Sequence, residues 1–210
     1  MEVHPPHHPL LSWRDFFVHI ATIVVGLLIA IALEQSVEAL HHHHQRVETR
    51  ENLHREIAEN RIIFARDLRY IASEKKMLED NIAALRRLRE HQSVPAGSLH
   101  FAWGWNGMHD SAWQTARETA ALDLLPTGQV EAYSITYGQQ SVVDEAGVAL
   151  SHSITAAAVP LTVQPDPNAL TPAQIDELIR NCAVSLNQID FFSGVAASLD
   201  RIYQDTLRAF

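Results

Sequence analysis

Thirteen histidines stand among the 210 residues, and four of them, His41 to His44, are consecutive. Neutral imidazole is the commonest metal ligand in proteins, so this run is the first place to look for chemistry. Helical spacing selects the combinations. Glu38 with His41 and His42, or His41 with His44, stand three or four residues apart and share a helix face. Glu38-x-x-His41 and Glu51-x-x-His54 also reproduce the Glu-x-x-His spacing of carboxylate-bridged di-metal bundles. Those bundles take their motifs from facing helices, whereas both copies here lie on one helical stretch, so a dinuclear site needs other chains. The candidate metal set is Glu38, His41, His44, Glu51 and His54, with a divalent transition metal as its ligand.

A second pattern bears on these residues. The apolar line Leu33, Leu40, Val47 continues at heptad spacing to His54, and the line from Val37 reaches His44 and Glu51. Polar side chains therefore occupy seam positions in this neck. Three readings stay open: a solvated neck near lipid headgroups, rings in a homo-oligomer that bind metal or sense pH, and a histidine face for anionic lipid at low pH.

Other chemistry is scarce. There is no G-x-S-x-G, P-loop or H-E-x-x-H pattern, so no catalytic or cofactor-binding residue is assigned and the expectation is a non-enzyme. Cys182 is the single cysteine, which rules out an intrachain disulfide; its place in an apolar heptad line assigns it to a core. His19, inside an apolar run, reads as a snorkelling or carbonyl-bonded imidazole, against a role in proton or ion movement.

The element that positions all of this is Phe16 to Leu33, eighteen residues without a formal charge. At 1.5 Å per residue it covers about 27 Å, close to a hydrocarbon core of about 30 Å, and only a helix satisfies its backbone there. No small-residue cleavage site follows it, which argues for an uncleaved anchor over a signal peptide. Arg14 precedes the run closely and the next basic residue is Arg46, so the positive-inside rule favours a cytoplasmic N-terminus and a periplasmic C-terminal domain.

The organisation read from sequence is a disordered tail over 1–11, a transmembrane helix over 12–33, a His-rich neck helix over 34–56 and a helical bundle over 57–210. No Pro or Gly interrupts 33–92, and Ile57, Phe64, Ile71, Leu78 and Leu85 stand seven apart, with Leu68 and Ile82 beside them. Ser93 to Asp110 reads as a long ordered loop that Trp103 and Trp105 pin to the bundle. A helix is expected from Ser111 to Leu125, with Gln114 completing a capping box. An irregular helix or two short ones follow to about Ala158, loosened by Gly138 and Gly147, and Pro160 to Pro172 is a linker. Thr171, Pro172 and Gln174 announce a last helix with Ile175, Cys182, Ile189, Ala196, Tyr203 and Phe210 on its seam. The fold class is all-α: an N-terminal transmembrane helix continuing into a long helix of an extracytoplasmic antiparallel bundle.

Residues 46–90 carry eleven Lys/Arg and nine Asp/Glu, while residues 109–210 carry four and twelve. Two halves of opposite sign attract one another, and the interleaving of acids with bases argues against a nucleic-acid partner.

The blocks R-D-F, G-L-L-I-A, L-E-Q-x-V-E, H-H-H-H and R-x-E-x-x-R, with W-Q-T-A-R-E-T-A-A-L-x-L-L-P-x-x-x-V-x-x-Y, span residues 12–140. They resemble a group of uncharacterised bacterial membrane proteins with one span and a helical domain. The resemblance implies an inner-membrane protein with Trp113, Leu125, Pro126, Val130 and Tyr133 as packing landmarks, and carries no activity. The functional expectation is a membrane-anchored scaffold, accessory subunit or sensor module. Its partners are the lipid bilayer and a homo-oligomer or larger membrane complex; Gly26 and Ala30 supply a small-xxx-small pair for self-association. Metal binding or sensing at the histidines is the alternative.

Overall fold

The computed structural model describes residues 13–210; the tail over 1–11 and the start of the span at Ser12 lie outside them. Four α-helices make up the described chain, α1 (Trp13–Arg89), α2 (Ser111–Glu118), α3 (Thr127–Val163) and α4 (Pro172–Ala209), and there is no strand among the described residues. Two compact units divide the chain, one ending at Glu48 and the other running Thr49–Phe210.

In the first unit, every α1 side chain from Trp13 to His44 is exposed, the apolar run from Phe16 to Leu33 included. Its most apolar 18-residue window has a mean hydropathy of 2.7, and none of it is buried. Two hydroxyls inside this stretch bond back onto the helix: Thr22 Oγ1 donates to the Val18 carbonyl at 2.9 Å, and Ser36 Oγ to that of Ala32 at 2.7 Å. Trp13 stacks on Phe17 and meets Phe16 edge-on, both at under 6 Å, at the N-terminal end of this stretch. By length and composition α3 also suffices to cross a membrane, with a mean hydropathy of 1.4, but 28% of that window is buried.

The second unit has its own core. Ile57, Phe64, Ile71, Leu78 and Leu85 of α1 are buried, as the heptad spacing predicts, and so are Ile175, Cys182, Ile189, Ala196 and Tyr203 of α4. Between α1 and α4, His54 meets the Leu207 carbonyl, Arg61 Asp200, Lys75 Asp190 and Arg89 Asp176. Partners on α4 thus descend as those on α1 ascend. This is the charge asymmetry of the sequence at work, a basic helix laid along an acidic one. Between α3 and α4, Thr136 meets Thr206 and Ser153 meets Ser185 in the same descending order.

Three local expectations change. First, α3 is one helix to Val163, with Pro160 inside its last turn. Its glycines do not break it because packing on α4, rather than propensity, holds it. Second, α2 ends at Glu118; Ala120 turns left-handed at φ 54°, and a 3-10 turn over Ala121–Leu124 follows. Such a backbone costs alanine about 1 to 2 kcal/mol, and it brings Ala121 and Leu125 into the core. Third, Ser111 and Gln114 form no capping box. Asp110 is the N-cap, Gln114 Nε2 donates to its carboxylate, and Ser111 donates to Glu56. The box at Thr171 and Gln174 does form, with Pro172 opening α4.

Candidate functional site

Polar residues stand one heptad row away from the apolar seam of α1. Leu53, Asn60, Asp67, Glu74, Asn81 and Leu88 follow one another at intervals of seven, and all six are buried. An exposed row of such residues would be ordinary. A buried one needs partners, because an unpaired polar group in the interior costs about 1 to 3 kcal/mol.

The loop after α1 supplies those partners. It runs along the row as an extended strap, and asparagine side chains read its backbone. Asn81 Nδ2 donates to the His100 carbonyl at 2.7 Å while its Oδ1 accepts the His100 N–H at 3.3 Å. Asn60 does the same at His109, donating at 2.6 Å and accepting at 2.7 Å. Asn168, from the turn before α4, repeats the pairing at Val94, both bonds at 3.0 Å. Each amide gives one strap residue the two hydrogen bonds that a neighbouring β-strand would give it, so the strap stays extended with no sheet beside it.

Carboxylates hold the remaining levels. Asp67 accepts from Asn106 twice, from its backbone N–H at 3.2 Å and its side-chain amide at 2.8 Å. Glu56 accepts from the Tyr137 hydroxyl, the Ser111 hydroxyl and the Ala112 N–H, at 2.7 to 2.8 Å. The last of these places a carboxylate at the N-terminus of α2, where the helix dipole favours an anion. Glu74 is the exception: its Oε2 is buried without a protein partner, and so is the Trp103 Nε1 of the strap. Burial pushes the Glu74 carboxyl above its usual range.

Trp105 seats the strap against α3. Its indole lies on Gly147, where an added Cβ would come within 2.5 Å of the ring, and it meets the Phe192 ring edge-on at 5.3 Å. Trp113 stacks on Tyr137 at 5.2 Å, Leu125 and Tyr133 are buried and Val130 packs against the core, so four of the landmark residues lie in or against it. Gly107, at φ 71°, turns the strap so that the Met108 N–H reaches Asp144 Oδ1 at 3.2 Å.

Asp144 opens onto a groove of about 550 Å³ lined by Met108, Asp110, Gln140, Ser141, Glu145 and His152, among others. Burial raises its carboxyl to about 6, opposed by the Met108 N–H and the neighbouring Trp105 indole, and assisted by the charges of Asp110 and Asp67. The Trp105 Nε1 lies close enough to favour the anion without reaching good hydrogen-bond geometry. This acid can exchange a proton near neutrality. The tyrosines beside it are held as phenols: burial, first of all, pushes Tyr137 and Tyr203 well above their usual range, and both donate, to Glu56 and to Gln140 Oε1. Cys182 is fully buried and its thiol is pushed up to about 11, so it is protonated at neutral pH.

The five sequence-derived metal candidates fall in different units. Glu38, His41 and His44 are exposed in the first; His42 Nε2 stands 4.0 Å from Glu38, and the His41 and His42 rings are 6.4 Å apart. Glu51 is exposed in the second unit. His54 there is half-buried, its Nε2 facing the Leu207 carbonyl at 3.4 Å, a contact that needs the proton on that nitrogen. Among the described residues no three His, Cys, Asp or Glu side chains converge as a metal would require.

Sequence reasoning missed the polar row, although its signal is plain: Asn60, Asp67, Glu74 and Asn81 keep a heptad interval beside Ile57, Phe64, Ile71 and Leu78. No protein-family model, curated protein or solved structure matches this chain.

Proposed function

We propose that the chain is a membrane-anchored, non-enzymatic helical module that serves as a scaffold, accessory subunit or sensor part of a larger membrane assembly. One span over Phe16 to Leu33 holds it in a bacterial inner membrane, with the N-terminus cytoplasmic and the bundle periplasmic. In that bundle α4 runs antiparallel to α1 and α3, in keeping with the descending order of their paired residues.

One observation carries the reading. Phe16 to Leu33 is apolar on every side and exposed throughout, with Leu27, Leu28 and Ile29 all above half exposure. Water makes such a helix untenable, while a bilayer makes it the stable state. The bundle supports a binding or structural role from the other side: its buried row, Glu74 excepted, holds the protein's own strap, with Asn60, Asp67 and Asn81 each paired to strap backbone. The basic residues of α1 that face α4, Arg61, Lys75 and Arg89, are engaged by acids, in keeping with a partner other than nucleic acid.

The test is alkaline carbonate extraction of membranes from cells making the full chain. Retention in the pellet, with release only by detergent, is the expected result. Release by carbonate alone removes the anchor and the proposal with it. Self-association at Gly26, where nothing lies within 4 Å, is a further part of the reading. Gly26→Leu is expected to reduce the mass measured in detergent.

A further inference from the structure

The second unit leaves one long helix face uncovered. On α3, Ile135, Val142, Ala149, Ala156 and Val163 stand seven apart, and all five are exposed. The exposures of the larger ones, 54% for Ile135, 45% for Val142 and 77% for Val163, are those of surface side chains, yet the row contains no polar residue. On α4, Val184 and Phe191 hold the centre of the equivalent outer row at 51% and 65% exposure, with Ser198 next and the charged Glu177 and Asp205 at its ends.

These rows flank one seam. Gln139 donates to the Val195 carbonyl and Ser153 meets Ser185, so the line through 139, 146 and 153 is the edge of α3 that touches α4. The exposed α3 row lies three residues on from that line. Val184 and Phe191 lie three or four residues from Gln188 and Val195, on the matching edge of α4. Together they form a two-helix apolar face over the α3–α4 seam.

We infer that this face is a homodimer interface, in which α3 and α4 of one copy pack on α4 and α3 of a second about a two-fold axis along the helices. Three features select a second copy. A strict interval of seven is the pattern of a seam against another helix, since lipid imposes no register. Charge permits self-pairing: Glu131 and Glu145 are exposed on α3, which has no Lys or Arg, while α4 exposes Arg180, Arg201 and Arg208 together with the acids Glu177 and Asp205. The two-fold axis lays the acidic α3 of each copy along the exposed arginines of the other's α4, whereas an anionic membrane surface would be repelled by α3. The size also suffices: Ile135 to Val163 spans about 42 Å at 1.5 Å per residue, and two helices about 10 Å apart present a face about 20 Å wide, so about 800 Å² per partner is covered, the usual value for a stable interface.

Two glycines fit the same account. Gly138 and Gly194 lie exposed inside α3 and α4, and a Cβ at either would meet nothing within 4 Å of this chain. Glycine in a helix interior is destabilising relative to alanine. Nothing within the monomer requires either, and both border the proposed interface, where a close-approaching helix would. The interface is separate from the contact proposed at Gly26.

The experiment uses the full chain in detergent, with mass by light scattering and hydrogen exchange at high and low protein concentration. Val142→Glu with Phe191→Glu changes only exposed positions, and unchanged helicity and melting establish that the variant is folded. The expected result is a halved protomer number and loss of concentration-dependent protection over 135–163 and 184–198. An unchanged mass, or a wild-type chain that is monomeric at every concentration, overturns the interface. If only Gly26→Leu lowers the mass, association belongs to the span and the inference fails while the anchored-module reading stands. If 135–163 is protected only on adding phosphatidylethanolamine–phosphatidylglycerol vesicles, the face meets lipid and the inference also fails. A second measurement needs no disruption: Ala149→Cys chains mixed with Phe191→Cys chains, both carrying Cys182→Ala, are expected to yield a mixed disulfide dimer on mild oxidation, and its absence counts against the interface.

Discussion

Replacing Gly147 by alanine sets two effects of known sign against each other. In a bare helix the change is favourable by about 1 kcal/mol, because glycine loses more backbone freedom on folding. In this protein the new Cβ would lie 2.5 Å from Trp105 Cε2 and 2.7 Å from Cδ2. Those are fused-ring atoms, so no side-chain tip can swing aside; the whole indole must retreat by about 1 Å to reach van der Waals distance. Its retreat is opposed by the Phe192 ring behind it, and by Asn106 and Met108, which tie the strap on either side to Asp67 and Asp144. Overpacking of this kind costs about 2 kcal/mol, the middle of its usual range; subtracting about 1 kcal/mol of propensity leaves about 1 kcal/mol, and strain on one of the strap's hydrogen bonds adds up to about 1 kcal/mol, for a net loss of about 1 to 2 kcal/mol. For a unit of this size that is a fall in Tm of about 3 to 6 °C. Thermal unfolding of the full chain in detergent, followed by circular dichroism, reads it. The decisive comparison is the double-mutant cycle: in a Trp105→Ala background the same substitution has nothing to strike and is expected to be stabilising by about 1 kcal/mol. A neutral or stabilising Gly147→Ala in the wild-type background would refute the seat of Trp105 and, with it, the position of the strap.

Other changes probe the same region. Asn60→Leu strips three hydrogen bonds and orphans the His109 N–H, while the His109 carbonyl keeps its bond from Gln140 Nε2; the expected loss is about 1 to 3 kcal/mol, read by faster hydrogen exchange of the His109 amide and a lowered Tm. Asp144 has a native pKa of about 6 against 3.8 when unperturbed, so the native state binds its proton more tightly. Stability from this group is greatest below the unfolded value and falls as pH rises from about 4 to about 6. Asp144→Asn keeps an oxygen for the Met108 N–H and is expected to abolish that fall, so the Tm difference between variant and wild type should grow in the variant's favour from pH 4 to 7; a difference independent of pH contradicts the burial argument. Cys182, buried and pushed up to about 11, is expected to resist a thiol reagent at pH 8 until the protein is denatured; fast labelling of the native chain would contradict its place in the core.

Much of the helical plan could be read from spacing, for physical reasons that can be named. The seams of α1 and α4 are long enough for a seven-residue period to stand above chance, and Thr171, Pro172 and Gln174 each perform a capping role that few other residues can. Where tertiary contacts override local preference, the reading went astray. Gly138, Gly147 and Pro160 are helix breakers by propensity, yet α3 passes through all three because α4 covers one side of it. Ser111 has the chemistry of a cap but donates to Glu56, a residue far away in sequence. The strap reads from its residues as an ordered loop with pinning tryptophans. What orders it is not legible there, because a buried Asn-Asp-Glu-Asn row and a solvated one are written with the same letters. The histidines drew attention by their number, although His41 and His44 project from an exposed stretch and His54 is engaged by the end of α4.

The anchor carries the whole functional proposal, and labelling of single cysteines in native membranes tests it most directly. Ile20→Cys and Leu28→Cys sit in the apolar stretch, and His44→Cys and Ser93→Cys in exposed positions outside it. With a membrane-impermeant maleimide added from the periplasmic side, the account has positions 44 and 93 labelled and positions 20 and 28 refractory even in opened membranes. Labelling of position 28 as fast as position 93 would contradict it, because an exposed apolar helix in water would then be all that remained of the span.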